Sequence, residues 1–256
     1  EWFMPQRLLA LLVLCLFSAV AVADPLLQLH QVQLTTQGSL GDLYRLYADP
    51  DADTAAAIER HLELAREPLA GLQQVPGEQA QALVTQLLPQ WTVYSGMLIE
   101  QTRGLQRTGS LEIPQLAELI VRNRQLQSLL QRLDASLVSS GETPISPITL
   151  RARSLSLAMQ EIANSYLARS IGAHALGVEE PALNELADRF SRDLAQLQQE
   201  TRAYPHYQQS LIRLTRQWQY IEPPIQRFQE ASLPFVVQQY SARIVTELER
   251  LAASEP

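Results

Sequence analysis

The sequence predicts an all-α protein made of up-and-down four-helix bundles. Apolar residues recur at steps of three and four along most of the chain, as at Leu126, Leu129, Leu130 and Leu133, and this spacing places them on one face of a helix. Runs that alternate β-branched and polar residues are nearly absent, and the chain contains neither Asn-Gly nor Asp-Gly, which are typical of tight hairpins. We therefore expect seven or eight helices.

The N-terminal segment predicts export. Arg7 precedes an apolar run at 8–22, and Ala21 and Ala23 are the small residues that a signal peptidase recognises. The run is shorter than the ~20 residues that a membrane-spanning helix needs. We expect residues 1–23 to be a cleaved signal peptide and the mature chain to be periplasmic; the alternative is a retained anchor. Cys15, the only cysteine, would leave with this segment, so no disulfide is expected.

Composition narrows the class of partner. The chain has a net charge of -7, which argues against binding to nucleic acid or to an anionic lipid surface. With 46% hydrophobic residues, a mature chain of this length can bury a sizeable core, as one elongated domain or as two small ones.

Helix boundaries are marked at several places. Asp51 to Thr54 offers an N-cap before an Ala-rich stretch, and Pro181 suits the first turn of a helix. Pro205, the pair at 223–224 and Pro234 are expected to break or kink the later helices.

The strongest loop signal, at 139–147, divides the mature chain into two halves of similar composition. We expect an N-terminal helical unit at 24–138, a linker at 139–147 and a C-terminal bundle at 148–256. The segment at 69–74 (LAGLQQ) matches that at 194–199 (LAQLQQ), and Gln-Trp occurs at both 90–91 and 217–218. These matches favour a duplicated four-helix unit; the alternative is chance similarity between Gln- and Leu-rich helices.

One segment resembles a known family. Residues 151–159 read RARSLSLAM, followed by Tyr166-Leu167, and resemble the first helix of the periplasmic sensor domain of type IV pilus chemotaxis transducers (PilJ) and nitrate/nitrite sensor kinases. Positions 154, 157 and 158 depart from the family pattern, which has Met, Gln and Arg there. The resemblance extends over about 147–252. It implies a helical sensor bundle, and in the nitrate-sensor branch an anion held by the arginine at the position of Arg153 from each of two subunits.

The candidate ligand-binding residues are Arg151, Arg153 and Ser156. Leu155 and three further apolar residues of this helix share a stripe that we expect to face a core, and Arg153 lies about 200° around the helix from Leu155. An outward guanidinium with Ser156 one turn later suits a small oxyanion, particularly where two copies pair across a dimer axis. The alternative is that both arginines are solvated surface residues or pair with carboxylates such as Glu161.

The remaining residues show no pattern typical of a catalytic, metal-binding or cofactor-binding site. The four histidines are scattered without metal-ligand spacing, and no nucleophile or phosphate-binding motif occurs, so we expect no catalytic residues, no metal and no cofactor. Trp91 and Trp218 are expected to be core anchors, the alternative being ligand stacking. Two non-enzymatic functions remain: a ligand-sensing bundle that acts through a membrane receptor, or a structural interaction protein of the envelope. The C-terminus has no apolar span, so we expect any signalling to need that membrane partner.

Overall fold

The structure is a computed structural model that describes residues 24–141, 144–173, 182–229 and 232–254. Within these ranges the chain forms nine α-helices and no strand, which confirms the predicted all-α class. The helices are α1 (Pro25–Ala48), α2 (Ala52–Leu64), α3 (Arg66–Leu72), α4 (Glu78–Thr108), α5 (Ile113–Ser140), α6 (Pro147–Ser170), α7 (Leu183–Glu200), α8 (Pro205–Gln226) and α9 (Pro234–Ala253).

The helix count exceeds the prediction because one expected helix is interrupted. Only Ala65 separates α2 from α3. Pro68 accounts for the break, since a proline ring clashes with the carbonyl four residues earlier, here that of Leu64, where α2 ends. Taken as one broken segment, α2 and α3 leave eight helical segments in the described part of the chain.

The helices pack as two four-membered rings. In the first, α1 contacts α2, α3 and α5, while α4 contacts α5 and α2; in the second, α6 contacts α7 and α9, while α8 contacts the same two helices. Each ring surrounds an apolar core. Leu29, Leu98 and Leu130 are among the residues buried in the first core, and Phe190 and Leu248 are buried in the second.

The two rings meet where α1 packs against α6. The C-terminal part of α6 adds Leu167 and Ala168 to the first core, while its remaining apolar face belongs to the second. The helices approach closely at Gly41 of α1, where a Cβ atom would overlap the side-chain oxygen of Asn164. The Asn164 side chain in turn donates a 2.8 Å hydrogen bond to the backbone carbonyl of Gln37. The small residue and the amide therefore fix the register of α1 on α6.

The segments that suggested duplication occupy corresponding places. Trp91 lies in α4 and Trp218 in α8, the third helical segment of each ring, and both are buried, as core anchors would be. The matching stretches at 69–74 and 194–199 both fall at the end of the second segment. Duplication itself stays a prediction.

The helix boundaries confirm some local signals and correct others. Asp51 accepts a 2.7 Å hydrogen bond from the backbone N–H of Thr54, as predicted for an N-cap. Pro205 and Pro234 begin α8 and α9 instead of breaking them, because the first helical position needs no N–H donor. The pair at 223–224 lies inside the last turn of α8. Pro181 and residues 1–23, with the predicted signal peptide, lie outside the described residues.

The linker between the rings is shorter than predicted. α5 continues through Ser140 and ends at Gly141, whose φ of 66° is the left-handed conformation that favours glycine at a helix C-terminus. Ser146 then caps α6 by accepting a 3.1 Å hydrogen bond from the backbone N–H of Thr149. The connection therefore spans 141–146.

None of the described helices combines the length and the apolar character needed to cross a membrane.

Candidate functional site

The candidate helix α6 presents two chemically different faces. Leu155, Met159, Ile162 and Tyr166 are all buried in the second core, as the stripe predicted. The face that carries Arg153 points away from this core, also as predicted, but it lies against α1 of the same chain. The expected exposure of Arg153 to solvent or to a second copy is therefore wrong for this structure, because the sequence did not show that the two rings pack through this face.

Arg153 is largely enclosed at this junction. Its side chain is 12% exposed, and Nη2 lies 3.5 Å from Oδ2 of Asp24. Asp24 is itself held in place, since its Oδ1 caps α1 by accepting a 2.9 Å hydrogen bond from the backbone N–H of Leu26. The second terminal nitrogen of Arg153, Nη1, is buried and has no hydrogen-bond partner among the described residues. Such an unmatched buried donor needs an explanation, because most buried polar atoms are hydrogen-bonded.

Arg151 has a different role. It lies two residues from Arg153 on α6, and its Nε donates a 2.8 Å hydrogen bond to Oε2 of Glu200 at the end of α7. This hydrogen bond and the guanidinium charge lower the pKa of the Glu200 carboxyl. Arg151 thus forms the inter-helix ion pair that was the alternative interpretation, and the two predicted arginines do not come together at one site.

Ser156 belongs to a buried polar contact that links three helices. Its side chain is fully buried, and Oγ makes no hydrogen bond of normal geometry within the described residues. It lies beside Glu249 of α9, whose Oε1 is 2.8 Å from Nε2 of the buried His30 of α1. Burial acts to raise the pKa of Glu249, but His30, Ser156 and the charge of Arg153 together hold it below its usual value. These contacts keep Glu249 ionised between the rings.

Asp134 of α5 completes this charged cluster. Burial raises the pKa of its carboxyl, and the nearby charges of His30 and Arg153 offset this only in part. Sequence reasoning missed Asp134 and Glu249, and it noted His30 only as one scattered histidine. One signal was available for His30, since it falls one helical turn after Leu26 on the buried stripe of α1.

A cleft of about 260 Å³ opens beside Arg153, between α1, α5, α6 and α7. Charged side chains of both signs line it, namely Arg153, Arg189, Asp134, Glu161 and Asp193. Four glutamines also line it, at 33, 37, 127 and 131, and the side-chain oxygen of Gln37 is buried without a hydrogen-bond partner among the described residues. Burial raises the pKa of Glu161, an effect that Arg189 and Arg124 reduce.

The cleft has the form and the polar lining of a binding site. In the part of the chain that the structure describes, no three His, Cys, Asp or Glu side chains are grouped as metal ligands would be. Two of the residues that line the cleft, Arg153 and Gln37, each have a buried side-chain atom without a hydrogen-bond partner among the described residues, a donor in Arg153 and an acceptor in Gln37. Concave sites with a few convergent polar groups are where small molecules bind.

Comparison with protein-family models, with curated proteins and with solved structures finds no match.

Proposed function

We propose that this protein is an exported, non-enzymatic helical-bundle protein that binds a small, anion-bearing molecule in the cleft at the α1–α6 junction. The observation that carries the proposal is that Arg153 lines the cleft while its buried Nη1 lacks a hydrogen-bond partner among the described residues. Leaving such a group unpaired costs roughly 1–3 kcal/mol or more. A ligand oxygen at Nη1 would recover that cost through a charge-assisted hydrogen bond.

The resemblance of residues 151–159 to the first helix of the PilJ-type sensor domain supports a sensing role. In this proposal Arg153 contacts the ligand, Ser156 stabilises the neighbouring Glu249, and Arg151 only ties α6 to α7. The cleft lies between the two rings, so ligand binding would change how they pack and could be passed to a membrane receptor or another envelope protein. A homodimer stays part of the proposal, but it would pair through another face, because α1 of the same chain covers Arg153.

A thermal-shift experiment with matched arginine variants tests the proposal. The purified protein is titrated with nitrate, nitrite and a panel of small carboxylates. A ligand at 100 times its dissociation constant stabilises by about 2.7 kcal/mol, which is easily measured. We expect a dose-dependent shift that Arg151→Gln retains and Arg153→Gln loses. Equal shifts in both variants, or no shift from any anion or any carboxylate-bearing molecule, would contradict the proposal.

One observation favours a second candidate function, an interaction protein of the envelope. An apolar groove of about 660 Å³ runs along the outer face of α1, with Leu27, Leu34 and Val245 among its lining residues. Leu64 lines the groove as well. Leu64 is 66% exposed and Leu27 is 39% exposed. Exposed apolar grooves are typical of protein-binding surfaces.

A charge placed in the groove tests this alternative. Leu64→Glu should abolish a specific cross-link to an envelope protein while leaving helical content and anion-dependent thermal shifts unchanged. Val121→Glu is the control, because Val121 is an exposed apolar residue on α5 that does not line the groove. If both variants cross-link as the wild type does, the groove is not the contact surface.

A further inference from the structure

Two residues that line the junction cleft have unmatched buried groups of opposite kind. Arg153, with a buried donor that has no partner among the described residues, lies beside Asp24 at the start of α1. Gln37, with a buried unmatched acceptor, lies farther along α1. Gln37 and Glu161 are neighbours through Asn164. The Asn164 side chain donates a hydrogen bond to the Gln37 carbonyl, and Asn164 follows Glu161 by about one turn of α6. A bound molecule that satisfies both groups must offer an acceptor to Arg153 and a donor to Gln37.

The charges in the cleft favour a ligand that carries both signs over a simple ion. A simple anion at Arg153 would meet the carboxylates of Asp134 and Glu249, which already surround that guanidinium. A simple cation near Glu161 would meet Arg189. With three carboxylates and two guanidinium groups in its lining, the cleft is close to neutral as a whole and polar along its length. Complementary charge at each end favours a molecule that carries both signs.

We propose that the ligand is a short peptide with free termini, whose carboxylate binds Arg153 and whose ammonium group binds Glu161 and the Gln37 side chain. This inference rests on the proposed function and names the ligand class for the same cleft. Atoms and charges match at each end: Arg153 donates to a carboxylate, while an ammonium donates to a carboxylate and to an amide oxygen.

The length of the cleft sets the size of the peptide. Arg153 and Glu161 are eight residues apart on α6, a rise of about 12 Å along the helix axis. Both residues line the cleft, so a ligand that reaches both must span a distance of this order. An extended chain covers at most about 3.3–3.6 Å per residue, so three residues reach roughly 10 Å. The volume of about 260 Å³ suits a small ligand of this kind.

The four glutamines of the cleft also suit a peptide ligand. Those at 33, 37, 127 and 131 line the cleft from α1 and α5. Side-chain amides both donate and accept, which is what the backbone of an extended peptide requires. These contacts do not depend on peptide side chains, so we expect little sequence preference.

Blocked tripeptides test the inference on the purified protein. The probes are Ala-Ala-Ala, its N-acetyl derivative, which lacks the ammonium, and its C-terminal amide, which lacks the carboxylate. Isothermal titration measures each affinity. We expect the free tripeptide to bind and each blocked form to bind roughly tenfold or more weakly, because each loses a charge-assisted contact.

Matched variants assign each terminus to its residue. Glu161→Gln should weaken the free tripeptide but leave the acetylated form unchanged, since the acetylated form has no ammonium to lose. Arg153→Gln should weaken the free tripeptide but not the amide. Glu185→Gln, an exposed carboxylate of α7 outside the cleft, is the control and should bind as the wild type does.

The outcomes separate this inference from the proposed function. If the acetylated tripeptide binds as tightly as the free one, or if only simple anions bind in an Arg153-dependent manner, the peptide inference is wrong while the anion-binding function stands. If neither the peptides nor any anion binds, both are wrong.

Discussion

Two buried polar clusters of this protein differ in whether their hydrogen bonds are complete. In the first core the hydroxyl of Tyr94 donates a 3.0 Å hydrogen bond to the Thr36 carbonyl and accepts one of 3.1 Å from Asn123. Asn123 also donates a 3.0 Å hydrogen bond to the Thr36 carbonyl, and Ser39 lies 3.2 Å from the hydroxyl. At the junction, by contrast, Arg153 and Gln37 each keep a buried polar atom without a hydrogen-bond partner among the described residues.

The difference separates a structural cluster from a candidate binding cluster. The Tyr94 cluster is neutral and closed, and burial raises the pKa of Tyr94 to about 12, so the hydroxyl stays protonated. A fully satisfied buried network stabilises and specifies one packing. The junction cluster is charged, incomplete and beside a cleft, so it is suited to complete its hydrogen bonds with a ligand.

The largest effect is expected in the closed cluster. Asn123→Ala removes both hydrogen bonds of the amide and leaves a small cavity, which should lower the free energy of unfolding by roughly 3 kcal/mol. Urea denaturation followed by circular dichroism measures the loss. Gln125→Ala is the control, because Gln125 is exposed on the same helix, and it should stay within about 0.5 kcal/mol of the wild type. A loss for Asn123→Ala no larger than that of the control would show that the closed cluster does not stabilise the fold.

A smaller effect with a pH signature is expected for Glu249. Glu249→Gln replaces a charge-assisted contact to His30 by a neutral one at a half-buried position, which should cost about 1 kcal/mol at neutral pH. The folded pKa of Glu249 is lowered, so its carboxylate stabilises the fold above its unfolded pKa, and that contribution is lost as the pH falls through the folded pKa.

The variant and the wild type should therefore differ near neutral pH and converge in acid. Urea denaturation at about pH 7 and about pH 3 compares them. Asp188→Asn provides an exposed control on α7 that should show no such convergence. A difference that persists unchanged in acid would mean that Glu249 acts through packing and not through its charge.

Local features of the sequence predicted much of the fold. The stripe of Leu155, Met159 and Ile162 is buried because helical periodicity alone decides which side chains share a face. The cap at Asp51 formed because it needs only residues within one turn. One local signal was overlooked: Pro68, which divides α2 from α3.

The environment of Arg153 could not be predicted in the same way. Its neighbours Asp24, Asp134 and Glu249 come from the start of α1, from α5 and from α9. They come together only because α1 packs on α6, an orientation that depends on the shapes of two completed rings. Periodicity showed that Arg153 points away from the second core, but it did not show that another part of the same chain covers it.

The smallest effect is expected for Asp134, and it has the opposite sign to that of Glu249. Burial raises the folded pKa of Asp134, so its ionised form is penalised in the folded state. The folded protein binds the proton more tightly than the unfolded chain, and stability falls as the pH rises through the interval between the two pKa values. Asp134→Asn removes this penalty, so at neutral pH the variant should be as stable as the wild type or more stable, by less than about 1 kcal/mol.

The Asp134→Asn and Glu249→Gln variants, compared over the same pH range, therefore provide the finest test of the junction cluster. Above the interval in which Asp134 titrates, Asp134→Asn should gain stability relative to the wild type, whereas Glu249→Gln should lose it. A clear loss in Asp134→Asn at neutral pH would mean that attraction to Arg153 and His30 outweighs burial, and that Arg153 is already compensated within the protein. Because the proposed binding of a ligand carboxylate requires Arg153 to be under-compensated, that result would also weaken the case for the cleft.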